Sequence, residues 1–287
     1  MSTFSAARSA STIWLVARDV LKEATSSRMM LVLFVVIGLF LVGLAVSLDL
    51  DIVDGALAGS RLFGRATTNA IVPVDVFLRP AFQALAWVTF YVGLLFGIVA
   101  TADIAPKQLQ PGRVEHLLSL PIRRAELVVG VYLGVCAICA IATVAATGGV
   151  SAVLFMKAKL FSPAPIAGAA MAFIAFSSLY GAMLAVGVTS RSPALSAGAG
   201  LALYVLGIAV SEKNVFLMWT TNKALRTFLE VVTMPLPNLR ALADVGAGAA
   251  AGEALAVGAI APVVGGALAF GAGAVVIAAA VVQARDY

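Results

Sequence analysis

Residues 127–156 read LVVGVYLGVCAICAIATVAATGGVSAVLFM, thirty positions in a row without a charged side chain. About 20 such residues let a helix cross the hydrocarbon core of a bilayer, so this run is long enough to tilt or to project from it. Five runs of the same character flank it. Met29–Leu48 and Ala81–Ala102 come before; Ile166–Thr189, Ala194–Ser211 and Ala254–Val282 come after. In the last of these, Pro262, Gly265 and Gly266 are expected to break or kink the outer part. Of the 287 residues, 62% are hydrophobic and 11% are charged, against roughly 25% charged in a soluble domain. One soluble core stops growing near ~250–300 residues and could not hide this much apolar surface. The sequence therefore predicts an all-α integral membrane protein with six transmembrane helices, at about 29–48, 81–102, 127–156, 166–189, 194–211 and 254–282, forming one domain over 29–287.

The first 28 residues hold Arg8, Arg18, Asp19, Lys22, Glu23 and Arg28 and precede an apolar run of full spanning length, which is unlike a signal peptide. Within them, residues 11–28 carry a helical stripe of Trp14, Ala17, Leu21 and Ala24, with Arg18, Asp19, Lys22 and Glu23 on the other face. A helix of this kind is expected to lie in the membrane interface, as an elbow before the first span. Six spans place both termini on one side. Counting basic residues does not decide which side, but position does: Arg28 abuts the first run, Arg123 and Arg124 abut the third, and Asp49, Asp51, Asp54 and Asp75 fall on the opposite side. Both termini are thus expected in the cytoplasm. In the long connection 212–253, the apolar Val215–Trp219 and mixed Asn222–Val232 stretches predict a helix along the outer membrane surface, ended by Pro235 and Pro237.

The net charge of +5 fits basic residues placed at a membrane surface. No basic run alternates with aromatics, so nucleic acid is not an expected partner. None of the six runs contains Asp, Glu, Lys, Arg or His, whereas ion-coupled carriers place such groups at mid-membrane. The single histidine, His116, lies in a connection, which removes Ser–His and metal-hydrolase chemistry. The phosphate-cradling pattern G-x-x-x-x-G-K-[ST] does not occur, so the chain reads as a non-enzyme without a cofactor of its own. Cys136 and Cys139 share one helical face, but two thiolates without further ligands seldom hold a metal, and small packing residues explain them as well. Asp49, Asp51, Asp54 and Gly55 match part of a calcium loop, with the spacing lost after the second aspartate and no glutamate at the twelfth position. The G-x-x-x-G pairs Gly93–Gly97 and Gly130–Gly134 permit close helix contact without naming the partner.

The connection between the second and third runs is the most specific stretch: KQLQPGRVEHLLSLPIRRAEL, residues 107–127. It resembles the same region in permease subunits of type-2 (exporter-class) ATP-binding-cassette (ABC) transporters, above all the permease group of nitrous oxide reductase and multicopper enzyme maturation. Those carry K-E-x-E-R-x-T, a short helix, L-L-S-x-P-x-R-R-x-E, then a glycine pair like Gly130 and Gly134. Ala17 to Ala24, with Arg28 before the first run, is similar to the family's elbow helix, Leu236-Pro237-Asn238-Leu239 to its outer motif, and Arg285-Asp286-Tyr287 to its ending. Gln108 and Gln110 stand where the family has paired glutamates, Arg113 where it has threonine and Val131 where it has lysine.

The resemblance implies a short cytoplasmic coupling helix docking on a separate ATPase, with Arg113, Val114, Glu115, His116, Leu117, Leu118, Ser119, Leu120, Pro121, Arg123, Arg124 and Glu126 as contact residues. It also implies two ATPase copies, which would bind the ATP, and a second permease copy or a related permease, in a bacterial-type inner membrane. The charge-free runs suit an amphiphilic, lipid-linked or apolar cargo. The rival expectation is a membrane scaffold or assembly protein that transports nothing.

Overall fold

Backbone surrounded by lipid must satisfy its own hydrogen bonds, and a helix does so within one segment. The structure, a computed structural model, describes residues 2–25, 28–53, 56–62, 65–68, 72–108, 123–158, 164–212, 227, 231, 233–253 and 257–284. Helices α1 (Ser2–Thr25) and α2 (Arg28–Ser47) lead into four short strands: β1 (Leu48–Val53), β2 (Ala56–Leu62), β3 (Arg65–Thr68) and β4 (Val72–Pro73). Then come α3 (Val74–Thr101), α4 (Ile104–Gln108), α5 (Arg124–Ala158), α6 (Ala164–Ser190), α7 (Pro193–Ala209), a 3-10 turn (Val210–Glu212), α8 (Leu239–Ala250) and α9 (Val257–Ala284).

Among the described residues, five stretches are long and apolar enough to cross a membrane: Arg79–Gln108, Arg124–Lys157, Pro165–Ser190, Pro193–Glu212 and Ile260–Ala284. The expected first span corresponds to α2, which follows α1 across a 66° bend, and the two together make up a sixth candidate crossing. The chain is a multi-pass helical membrane protein. Its surface inverts the soluble pattern, with Leu39 and Val42 of α2, Val205 of α7 and Val276 and Ile277 of α9 all exposed. At 35 residues, α5 rises ~52 Å and exceeds the ~30 Å hydrocarbon core, as its run of apolar residues suggested.

The centre of the bundle is α6, apolar on every face, which is the mark of a helix surrounded by others. Ala175, Leu179, Tyr180 and Met183 are 0% exposed, with α3, α5, α7, α8 and α9 packed around them. Between helices in lipid there is little hydrophobic drive, so close backbone approach through small residues supplies the packing. A Cβ on Gly181 of α6 would sit 2.6 Å from the Gly271 carbonyl oxygen of α9. On Gly271 it would sit 2.9 Å from the Ser178 Cα. The Gly130–Gly134 pair has a partner too: α1 lies across it, and added Cβ atoms there would fall 2.6 Å from Val16 Cβ and 2.8 Å from Val20 Cβ.

Four expectations change. First, residues 48–73 are not plain loop. β2 pairs antiparallel with β1 and with β3, and its first residues pair with β4, in a small sheet beside the helices. The alternation in Leu48-Asp49-Leu50-Asp51-Ile52-Val53 is the period-2 signal for a strand. Second, the buried stripe of α1 is Val16, Ala17, Val20 and Ala24, while Trp14 is 68% exposed, because the helix turns its Val face onto the α5 glycines. Third, the connection 212–253 holds a packed helix after Pro237, at Leu239–Ala250; the surface helix expected over Val215–Val232 lies outside the described residues apart from Thr227 and Val231. Leu239, Leu242, Ala243, Gly246, Ala247, Gly248 and Ala250 are buried, and α8 packs on α6 and α3. Asn238 caps it, its side-chain oxygen accepting from the Ala241 amide at 3.0 Å. Fourth, α9 runs unbroken through Pro262, Gly265 and Gly266. The residues expected to form the coupling helix, 113–121, lie outside the described residues.

Candidate functional site

Two features of the bundle form the candidate site: the contacts that hold the residues on either side of 109–122, and a cleft between four helices. Three of the expected contact residues, Arg123, Arg124 and Glu126, are described, and all three bond within the chain, Arg123 through its backbone and the other two through their side chains. Arg123 precedes α5, and its backbone amide donates to Glu126 Oε2 at 3.1 Å, the reciprocal half of a capping box. Glu126 also accepts a hydrogen bond from the Ser9 hydroxyl of α1. The Arg124 guanidinium reaches the last turn of α9, donating to the carbonyls of Val282 at 3.5 Å and Gln283 at 3.4 Å. A cation there also complements the negative end of the helix dipole. The resemblance points these side chains outward; the signal against it in the sequence is that Glu126 stands three residues after Arg123, the residue before the helix, where glutamate closes a capping box.

The other end of 109–122 is held by the same helix. Gln108, 2% exposed at the end of α4, donates through Nε2 to Glu23 Oε2 at 2.7 Å. Ser9 and Glu23 are thus two grips on one rigid helix, fourteen residues or ~21 Å apart. Between them, Val16 and Val20 bind α1 to α5. A displacement of either end of the 109–122 segment is therefore transmitted to α1.

The Gln108–Glu23 bond requires the amide. Gln108→Glu would place two carboxylates at a buried contact with no proton between them. It should cost on the order of 1–3 kcal/mol at pH 8. One of the pair then has a folded-state pKa above its unfolded value. The penalty should accordingly be absent at low pH and appear as pH rises through that raised pKa. Thermal unfolding in detergent at pH 5 and pH 8 measures it, and a variant equal to wild type at both would remove the contact from consideration.

The cleft lies between α2, α3, α5 and α6, because α2 leans on α5 and barely touches α3. Its volume is about 210 Å³. Phe40 and Val36 of α2, Thr89, Val92 and Gly93 of α3, Cys139 and Thr143 of α5 and Phe176 of α6 are among its lining, and no lining residue is charged. The C-x-x-C pair is split by this wall. Cys139 faces the cleft, its sulfur 4.0 Å from Thr143 Oγ1, while Cys136 is buried. Among the described residues no cluster of three metal-ligating side chains exists.

The opposite face of α3 is polar. Tyr91 stacks on Trp87 at 5.3 Å and meets Tyr204 of α7 edge-on at 6.4 Å, the Tyr204 hydroxyl donating to its carbonyl at 3.4 Å. Tyr91 stands twelve residues, ~18 Å, inside Arg79, near the middle of the crossing. The six runs hold no charge, but α8 brings Arg240 and Asp244 within electrostatic reach of Tyr91. Arg240 pairs with Glu212. Partial burial raises the Asp244 carboxyl above its ordinary value, and Arg240 one turn back opposes the rise.

Fold and site together define a multi-pass helical membrane protein with an apolar cleft between α2, α3, α5 and α6. No protein-family model matches the chain, and no curated protein matches it significantly.

Proposed function

We propose that this chain is the membrane-embedded permease subunit of an ABC exporter, worked by a separate ATPase. In this reading it has six spans with α1 as the interfacial elbow, both termini in the cytoplasm of a bacterial-type cell, and residues 113–121 as the coupling helix. Two ATPase copies and a second permease would complete the assembly. One observation carries the reading: residues 109–122 join α4 to α5, and so stand between two of the four walls of the cleft, while α1 grips both ends of the join. A push delivered there moves the walls relative to each other, a rigid-body switch between two states of the path. Glu126 and Arg124 act as the fixed mounts of this lever, leaving Arg113, Glu115 and Arg123 to meet the ATPase.

The test is copurification in mild detergent. In this reading Val114, Leu117 and Leu118 would share one face of the coupling helix, at i, i+3 and i+4. Burying one such leucine contributes about 1.5–3 kcal/mol. Leu117→Asp should therefore weaken retention of the ATPase at least ~tenfold, with the permease itself extracted as before. Wild-type retention, or a wild-type permease that brings down no ATPase and forms only a homo-oligomer, would favour the scaffold reading instead.

A further inference from the structure

We propose that the cleft between α2, α3, α5 and α6 is a binding site for one hydrocarbon chain of a membrane phospholipid, which enters sideways between α2 and α3. This deepens the transport reading by naming the chemical class of the cargo, and it rests on that reading only for the direction of movement.

The cleft follows α3 from Leu85 to Thr101, sixteen residues or ~24 Å along the helix. That exceeds one half of the ~30 Å hydrocarbon core, so the cleft passes from one leaflet into the other. Its walls offer a ligand almost no polar atoms. The Thr101 hydroxyl donates to the Gly97 carbonyl at 2.7 Å, and the Thr147 hydroxyl donates to the Thr143 carbonyl at 2.8 Å, each satisfied within its own helix. A water column needs two to four polar partners per molecule and finds too few here. A headgroup or ion would lose its hydration without replacement. An acyl chain loses nothing, and it is the one apolar ligand already present on the open side.

Glycine shapes the passage. Gly97 is closed off by Phe176, 2.9 Å from where its Cβ would be, whereas a Cβ on Gly93, one turn away on the cleft wall, would meet nothing within 4 Å. The missing side chain at 93 leaves the waist of the cleft open. A larger residue there starts from a Cβ that meets no packed atom and would extend into the cleft.

The experiment uses the full chain in lipid nanodiscs of phosphatidylcholine containing a trace of phosphatidylcholine with a diazirine at mid-chain. After irradiation, adducts are mapped by peptide mass spectrometry. Wild-type protein should carry adducts on cleft positions such as Val92 and Thr143 in excess over the lipid-facing Val276 and Ile277. Gly93→Trp should cut the cleft adducts at least ~tenfold and leave those on α9 unchanged. Gly93→Leu should give a smaller drop in the same place, and it serves if the tryptophan variant is not recovered. Equal labelling of cleft and α9, or cleft labelling indifferent to residue 93, means ordinary surrounding lipid and overturns the proposal. No ATPase is present, so that failure leaves the permease reading standing. Conversely, loss of ATPase copurification leaves the labelling result intact.

Discussion

Gly181→Leu should leave little folded protein in detergent, while Gly273→Leu should be recovered at wild-type yield. Both substitutions put a leucine on a membrane helix, and their surroundings separate them. At 181 the new Cβ would lie 2.6 Å from a backbone oxygen of α9, and neither a rotamer change nor a side-chain shift relieves that contact. The two helices must move apart, and with them the most extensive interface in the bundle. Overpacking in a well-packed core ordinarily costs about 1–3 kcal/mol, and a backbone clash belongs at or above the top of that range. At 273 a Cβ meets nothing within 4 Å. Fluorescence-detected size-exclusion chromatography after graded heating reads both. Equal thermal profiles for the two variants would show that α6 and α9 are not packed through these glycines.

Gly130→Leu should free α1. Its Cβ would fall 2.6 Å from Val16 Cβ, an atom fixed to the α1 backbone, with the Ile13 carbonyl oxygen at 3.1 Å. Undocking also re-exposes Val16 and Val20, each worth about 1.5–3 kcal/mol when buried. An increase of at least ~100-fold in the undocked population is expected, equivalent to about 2.8 kcal/mol. Limited proteolysis should cut near Arg18 and Lys22 in the variant and spare the helices beyond residue 28. Gly148→Leu, on the same helix α5 with nothing within 4 Å, is the control. If α1 in the variant resists protease as in wild type, the grip of α1 on the residues either side of 109–122 does not depend on this contact.

These glycines mark where reading the sequence reached its limit. Length and the absence of charge place the long helices within a few residues, because bilayer thickness imposes that length independently of any partner. Partners are different. The Gly130–Gly134 spacing announces a close contact but not that Val16 and Val20 make it, since the two segments are more than a hundred residues apart in sequence. Helical spacing groups Trp14 with Ala17, Leu21 and Ala24; Ala17 and Ala24 are buried, yet Trp14 faces outward, where its amphipathic ring suits a membrane interface. The burial of α8 was hidden because its sequence, Leu-Arg-Ala-Leu-Ala-Asp-Val-Gly, is too short and too polar to qualify as a span. Only its small face, Ala243, Gly246, Ala247 and Ala250, hints at helices packed close on one side. For the site, the resemblance drew attention to residues 107–127, and the structure shows what holds both ends of that stretch. The cleft had no signal at all, because it is a gap left by α2 standing off from α3.

The long-range closure by α9 has a consequence for synthesis. Gly181 and its face on α6 wait for Gly271, 90 residues later in the chain, and Arg124 waits for carbonyls 158 and 159 residues away. At ~5–20 residues per second, the first of these intervals lasts about 5–20 s. Throughout that time the groove on α6 that α9 will fill is open in the membrane of a half-made protein. The nascent bundle must be shielded by the insertion machinery or by lipid until the last helix arrives, and a ribosome that stops before residue 257 releases a product with its central helix uncovered, a natural substrate for membrane proteases.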